Sequence, residues 1–284
     1  MSTAILPDFT QHPCFQPEAR KTWARIHLPV APSCNVQCNF CNRKFSCVNE
    51  SRPGVSADIL SPKAALARLE DAIEKGVPLS VVGIAGPGDA FANSATTLET
   101  LRLVRAKHRE LLLCLSTNGL DLKGHIDALE DLGVSHLTIT INAVDPVTAA
   151  KIYRWVRVEG RIYSGIAAGK IVVERQEAAL REAANRPFLV KVNTVVVPGV
   201  NDAHVPEIAR WAAEIGADLH NCIAMIPVEG TPFGKIVEPD GAMMAAVRAA
   251  AGRYLPQMGH CARCRADACG LLSCGSQEPR GSGA

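Results

Sequence analysis

The chain of 284 residues predicts an α/β fold, a parallel sheet curved into a partial (β/α)6 barrel of the TIM type. Three observations predict it. Strand-like and helix-like segments alternate along the chain. The strand-like segments are short, apolar and rich in Val, Ile and Leu, as strands covered on both faces are. They number six rather than eight, which leaves the barrel open on one side.

Arg25–Ala31 is the first strand candidate, and it ends at a cysteine-bearing loop. The helix Ser61–Lys75 follows, opened by Ser with Pro at the first helical position and stopped by Gly76. Leu79–Ala85 and Thr96–His108 form the second unit, and Leu111–Thr117 and Asp121–Leu132 the third. His136–Asn142 leads to Ser164–Asn185. Phe188–Val197 runs through the turn-forming Pro198-Gly199-Val200-Asn201 into a helix over Asp202–Ile215, with Asp202 at the cap position. Leu219–Pro227 and Pro239–Tyr254 close the series, and a short GSQEPRGSGA tail reads as mobile.

With 48% hydrophobic residues the chain can build one large core. Its 30 basic and 28 acidic residues, formal net charge +2, give no reason to expect a nucleic-acid or membrane partner. No apolar run reaches the roughly 18 residues of a membrane span, and the start MSTAILPDFTQHPCF lacks a secretory pattern. The expected location is therefore the cytoplasm, where thiols stay reduced. Against that background the 11 cysteines stand out. A disulfide framework suits small secreted chains, so an odd count here points to metal or redox chemistry.

Barrels of this kind place their chemistry at the C-terminal ends of the strands, where this sequence puts its unusual residues. The cysteine loop follows strand one, and Gly83-Ile84-Ala85-Gly86-Pro87-Gly88-Asp89 follows strand two. Alternation puts Cys114, Ser116 and Asn118 on one face, and likewise Thr138, Thr140 and Asn142, and Lys191 and Asn193. Polar residues on one face of neighbouring strands suggest a lumen holding a polar ligand; the other reading is a solvent-exposed edge.

Cys34, Cys38 and Cys41 have the spacing C-x3-C-x2-C. Three close thiolates suit an iron–sulfur cluster, or zinc if a fourth ligand closes the site, which Cys261 or Cys264 could supply. With three thiolates on a [4Fe–4S] cube, one iron stays open for S-adenosylmethionine (SAM). In this position the motif, with Phe40 before its last cysteine, resembles the radical SAM superfamily, and the GIAGPGD turn resembles its SAM-binding glycine motif. Gly86 and Gly88 would let the backbone approach SAM closely, with Asp89 beside them.

The resemblance narrows to the NifB family of nitrogenase cofactor-maturation proteins. His12-Pro13-Cys14-Phe15, the stretch from Cys34 to Lys44, Asn49-Glu50-Ser51-Arg52-Pro53-Gly54 and Cys114-Leu-Ser-Thr-Asn-Gly119 carry it, together with Thr138-Ile-Thr-Ile-Asn142, Lys191-Val-Asn193, Pro198-Gly-Val-Asn-Asp202 and the stretch from His260 to Ala268. It runs from about residue 11 to residue 272.

That resemblance implies a radical SAM maturase with three [4Fe–4S] clusters, one binding SAM and two auxiliary clusters that are substrates. The two are fused into an eight-iron precursor (NifB-co) around a carbide from the SAM methyl group. One SAM methylates a cluster sulfide; a second yields a 5′-deoxyadenosyl radical that removes hydrogen from that methyl, chemistry of lyase and transferase character. Cys14, Cys47 and Cys114 look like the ligands of one auxiliary cluster, and Cys261 and Cys264 like those of the other. His12 completes one of these ligand sets or is an ordinary surface or core residue. Glu50 and Arg52 position clusters or move protons, or form a surface ion pair. Arg43 and Lys44 neutralise anionic clusters or are merely solvated, while Met225, Met243 and Met244 read as core filling.

The implied organisation is an N-terminal extension with cluster ligands over 1–24, the barrel over 25–255, and a C-terminal CxxC extension with a flexible tail over 256–284. The implied partners are iron–sulfur cluster donors, nitrogenase cofactor carriers or scaffolds, and a reductant such as ferredoxin or flavodoxin. Cys269 and Cys274 depart from the family pattern, as spare thiols or alternative ligands, and Cys222 reads as a buried small hydrophobe. Many relatives carry a NifX-like C-terminal domain, which is expected to be absent here. The alternatives are another radical SAM enzyme with auxiliary clusters, or a non-catalytic iron–sulfur or zinc carrier.

Overall fold

A computed structural model describes residues 8–45, 47 and 58–272. After two short 3-10 turns, β1 (Ala24–His27) opens the barrel and β2 (Val36–Cys38) lies within the cysteine loop. Helix α1 (Pro62–Glu74) precedes β3 (Leu79–Ile84), α2 (Ser94–Lys107) precedes β4 (Leu112–Thr117), and α3 (Ile126–Asp131) precedes β5 (Val134–Thr140). An insertion follows, of α4 (Pro146–Ile152) and a hairpin of β6 (Tyr153–Val158) and β7 (Arg161–Ser164). Then come α5 (Gly165–Ala184), β8 (Leu189–Val196), α6 (Val205–Ile215), β9 (Leu219–Ala224), α7 (Gly241–Ala251) and β10 (Cys269–Leu271).

Strands β1, β3, β4, β5, β8 and β9 pair in parallel in that order, and β10 adds antiparallel to the outer side of β1. Among the described residues β9 is the other edge, so the sheet curls into the partial barrel that the sequence predicts. Its outward side chains, such as Val82, Leu113, Leu137 and Val190, meet Leu69, Leu101, Leu129, Leu180 and Ile208 from the helices in one fully buried core. Each such side chain contributes about 1.5–3 kcal/mol by leaving water. The opposite face of the strands lines the lumen, where Ser116, Thr138, Lys191 and Asn193 stand among apolar side chains such as Ile223.

Local chemistry sets the element ends. Ser61 caps α1 by accepting from the Ala64 amide (3.3 Å), with Pro62 in the first turn. Gly216, with φ +113°, takes the left-handed position that ends α6. Asp202, by contrast, does not cap α6: its carboxylate accepts from the Gly199 amide (2.9 Å), closing the preceding turn. A 3-10 turn over Asp202–His204 leads in before Val205. The expected helix Asp121–Leu132 shortens to α3 behind a 3-10 turn at Lys123–His125, because the Asp121 carboxylate is drawn to Asn35 (2.8 Å) and Arg175 (3.2 Å).

No element is predicted between Asn142 and Ser164, yet the insertion sits there. Asp145 starts α4 by accepting from the amides of Val147 (2.9 Å) and Thr148 (2.8 Å). At 7 residues, α4 is too short for helical periodicity to stand out. A Cβ on Gly169 would lie 2.2 Å from the Pro146 carbonyl oxygen, so glycine is what lets α5 cross α4 this closely. The hairpin pairs with β2 in a second, three-stranded sheet, β2-β6-β7. A second core under it, including Phe40, Tyr153, Val156 and Met225, seats the cysteine loop.

The C-terminal segment, expected as an extension, is built into the barrel. His220 exchanges backbone hydrogen bonds with Pro256 (2.8 Å) and Met258 (2.7 Å), and β10 registers Leu271 on Ala24 and Cys269 on Ile26. Among the described residues no helix is long and apolar enough to cross a membrane.

Candidate functional site: two adjoining cysteine chambers

The smaller chamber, about 340 Å³, is lined by Cys34, Cys38, Cys41 and Cys47 with Arg43, Gly88, Asp89 and Asn118. Pairing of β2 with β6 opposes Gln37 to Trp155 and Cys38 to Tyr153. The Gln37 amide donates to the carbonyl oxygens of Cys38 (3.1 Å) and Cys41 (2.6 Å), fixing the loop between the two thiols. Phe40, fully buried, anchors it to the second core.

The turn after β3 forms the opposite wall. The Gly88 amide donates to the Ala31 carbonyl (2.6 Å) and the Asp89 amide to that of Ser33 (2.8 Å). A Cβ on Gly88 would lie 2.1 Å from the Ser33 oxygen. Here glycine serves the docking of turn onto cysteine loop. The buried Asp89 carboxylate accepts from the amides of Phe91 (2.9 Å), Ala92 (3.3 Å) and Asn118 (2.6 Å) and from the Thr117 hydroxyl (3.0 Å). Burial outweighs these bonds and raises its pKa. The Asn118 amide donates to Asn35 (2.7 Å) and reaches the Cys34 sulfur at 3.8 Å.

Burial pushes the Cys34 thiol up to about 12, Asp89 adding to the rise and Arg43 opposing it. For Arg43, burial pulls the guanidinium down, but the thiols of Cys34, Cys41 and Cys47 outweigh it and raise its pKa. It donates to the carbonyls of Pro32 (2.7 Å) and Pro87 (3.4 Å), which hold the cation over the thiols.

The larger chamber, about 650 Å³, lies in the barrel lumen and gathers Cys14, Cys114, Cys261 and Cys264. Ser116, Thr138, Lys191 and Asn193 line it as strand alternation predicts, and His27 and Asn221 join them. A Cβ on Gly83 would lie 2.9 Å from the His27 ring, so the neighbouring strand leaves room for the imidazole. Strand β4 serves both chambers, with Cys114 and Ser116 in the larger and Asn118, just past its end, in the smaller.

Side-chain N–H groups reach several of the sulfurs. Besides Asn118 near Cys34, Arg25 donates to Cys264 (3.0 Å) and Asn221 to Cys261 (3.4 Å). Arg25 also donates to the Gly270 carbonyl and is itself buried. Asn221 is tied to Asn193 (3.1 Å), so the Lys191-Val192-Asn193 stretch reaches Cys261 through it. Burial pushes the Cys14 thiol up to about 12; Lys191 opposes the rise, and Cys264, Cys114 and Cys261 add to it.

His12 stands behind Cys14. Its Nδ1 accepts from the Cys14 amide (3.1 Å), which leaves the proton on Nε2, buried and with no hydrogen-bond partner among the described residues. Ligation through Nε2 would need the other tautomer and the loss of the Cys14 bond. Burial holds the ring's pKa well below its ordinary value, with His136, 4.2 Å away between ring centres, adding to the effect.

Most of the sequence-predicted residues therefore meet in these chambers, with some regrouping. Cys47 sits with the C-x3-C-x2-C loop, while Cys14 and Cys114 sit with Cys261 and Cys264. Thr140 and Asn142 line neither chamber; the Asn142 side chain accepts from the Val195 amide (2.8 Å) and donates to Tyr153 (3.3 Å). Gly86, with φ +108°, shapes the turn next to Ala266. Lys44 is exposed, and so is Cys269, out on β10. Cys222 is a buried small side chain, bonded to Gln257 (3.2 Å), and the three methionines pack in the cores. Glu50, Arg52, Cys274 and the GSQEPRGSGA tail lie outside the described residues.

Arg25, His27 and Asn221 were not singled out from the sequence. A signal existed for the first two: a cation and an imidazole two residues apart share one face of an otherwise apolar strand. Clustered soft thiols with Arg43, Arg25 and Lys191 beside them fit a multiply charged iron–sulfur group. Among the described residues no three His, Cys, Asp or Glu groups converge on a single-ion position, so a mononuclear zinc site is not preformed.

The profile of the radical SAM superfamily matches residues 28–212. Proteins named FeMo cofactor biosynthesis protein NifB align over nearly the whole chain. That of Chlorobaculum tepidum is 51% identical over 92% of this chain, that of Klebsiella pneumoniae 48% over 92%, and that of Rhodobacter capsulatus 47% over 96%. The chain spans 62%, 57% and 61% of those proteins' own lengths. Among solved structures, Streptococcus suis SuiB bound to S-adenosylmethionine superposes with a TM-score of 0.59 at 16% identity, over 82% of this chain and 50% of that one. Methylornithine synthase (PylB) gives 0.52 at 13%, over 84% and 72%. At such identities the likeness speaks for the fold alone.

Proposed function

The chain belongs to the radical SAM superfamily, and we propose that it works there as a NifB-type maturase, fusing two [4Fe–4S] clusters and inserting a SAM-derived carbide to give the eight-iron precursor of the nitrogenase cofactor. The observation that carries this reading is the sorting of eight cysteines into two adjoining chambers joined by β4. A radical site alone needs the smaller; four further thiols in the lumen make a receptacle for iron–sulfur substrate.

In this reading Cys34, Cys38 and Cys41 hold the catalytic [4Fe–4S] cluster, which when bound supplies an open iron for SAM and the electron that cleaves it. Arg43 offsets the charge of the thiolates, Asn118 steadies Cys34, and Gly88 brings the facing wall close. The substrate clusters enter the larger chamber, where Cys14 and Cys114 face Cys261 and Cys264, and where Lys191 sets a cation among sulfides. A substrate cluster held by Cys14, Cys47 and Cys114 together would sit where the chambers meet, beside the SAM site. The three clusters, the cluster donors, the cofactor carriers and the reductant are parts of the same proposal.

The test is anaerobic reconstitution followed by SAM carrying a labelled methyl group. About twelve irons per chain, release of 5′-deoxyadenosine, and label retained in an extractable cluster are the expected results. About four irons with no label in the cluster would reject the cofactor-building reading and leave only a SAM site.

A further inference from the structure

We propose that the insertion α4–β6–β7, with the first turns of α5, is the docking surface for an acidic one-electron carrier protein of the iron–sulfur or flavin class. The proposal rests on reading the chain as a reductive SAM-cleaving enzyme. Each such cleavage takes one electron from the carrier and breaks the S–C5′ bond of SAM. The products are methionine and a 5′-deoxyadenosyl radical, which takes a hydrogen atom from the substrate. A surface that receives the carrier has to lie close to the cysteine loop.

The insertion does. β6 is strand-paired with β2, which carries Cys38, and Trp155 stands opposite Gln37, whose amide is bonded to the carbonyls of Cys38 and Cys41. One strand pairing and one side-chain bridge therefore join the insertion to the cysteine loop.

Its charge is one-sided. Between residues 147 and 171 lie the basic Lys151, Arg154, Arg157, Arg161 and Lys170 and a single acid, Glu159, in a chain of formal net charge only +2. Glu159 is engaged by Arg175 (3.1 Å), and Asp145, just before the segment, caps α4. The same segment exposes large apolar side chains, Val147 (59%), Ile162 (58%) and Ile166 (50%). The Arg157 guanidinium lies 5.5 Å over the Trp155 ring, with Ile162 opposite it in register. Exposed apolar side chains interspersed with basic ones along this segment suit a small, transient electron-transfer interface steered by opposite charge.

The test compares two reductants on the reconstituted protein, flavodoxin hydroquinone and dithionite, with direct binding of oxidised flavodoxin measured at low and high salt. The variant R154E/R157E/R161E should bind flavodoxin more weakly and form 5′-deoxyadenosine about ten-fold more slowly with it, while the dithionite-driven rate stays at wild type. Ile162→Ser, at a side chain 58% exposed, should give a smaller effect in the same direction, and K63E/K123E, outside the insertion, none. Wild-type flavodoxin affinity and rate in the triple variant would overturn the proposal. If wild type makes no 5′-deoxyadenosine with dithionite, it is the SAM-cleaving reading that fails, and the binding comparison still decides the surface.

Discussion

A guanidinium bonded to a thiol is the clearest device at the residue scale. Arg25 is buried, is held by the Gly270 carbonyl, and presents an N–H to Cys264 at 3.0 Å. Hydrogen bonds to ligand sulfurs tune and retain iron–sulfur groups. Arg25→Gln should therefore release iron from the larger chamber to a chelator roughly 10-fold faster, the lower end of outer-shell effects, with Arg25→Lys intermediate. Unchanged release would reduce Arg25 to a tie between β1 and β10. The cysteines themselves were plain in the sequence because their spacing is local chemistry. Arg25 was not, because nothing in Trp23-Ala24-Arg25-Ile26 announces a partner 239 residues away.

For the elements, close approaches decide. Gly169→Ala would set a Cβ 2.2 Å from the Pro146 carbonyl, where only backbone can yield. The variant should lose about 1–3 kcal/mol in denaturant unfolding, the usual range for overpacking. Because α4 leads directly into β6, it should also bind less iron at the Cys34 loop than wild type. Gly124→Ala, with open space around its Cβ, should leave both unchanged. The parallel strands were legible because continuous apolar runs of Val, Ile and Leu have few other uses. The insertion was not, since a helix of 7 residues and the 4-residue strand β7 fall below the length at which periodicity speaks. The grouping of Cys47 was equally hidden: loop residues are positioned by walls such as Pro87, whose carbonyl accepts from the Cys47 amide (3.0 Å).

The molecule as a whole buries several imidazoles in neutral form. Burial brings His220 and His27 down to about 4 and His136 to about 3. Each folded-state value lies below the ordinary 6.5, so between these limits the unfolded chain binds more protons than the folded one. This contribution is complete above pH 6.5 and is lost as the pH falls toward 4. For His220, which is held by Gln257 and Thr194 and lies outside both cysteine chambers, it amounts to on the order of 3 kcal/mol. The metal-free protein should unfold at a markedly lower temperature at pH 5 than at pH 7.5, taking up protons as it does. His220→Gln should remove about one proton from that uptake; the same uptake in the variant would contradict the assignment. Arg25 and His27 on one strand face gave a signal, but nothing in the sequence distinguished His136 and His220 from surface histidines, because their burial is a property of the assembled sheet.

The antiparallel addition of β10 to β1 also has a consequence in time. The first strand of the barrel is synthesised early, but its outer partner lies near residue 270, and Cys261 and Cys264 come only shortly before it. A nascent chain on the ribosome can finish the cysteine loop and its facing turn while the larger chamber still lacks a wall. If the larger chamber is the receptacle proposed above, it lacks Cys261 and Cys264 until translation has passed that segment, and a half-made chain would offer iron–sulfur substrate only part of its ligands.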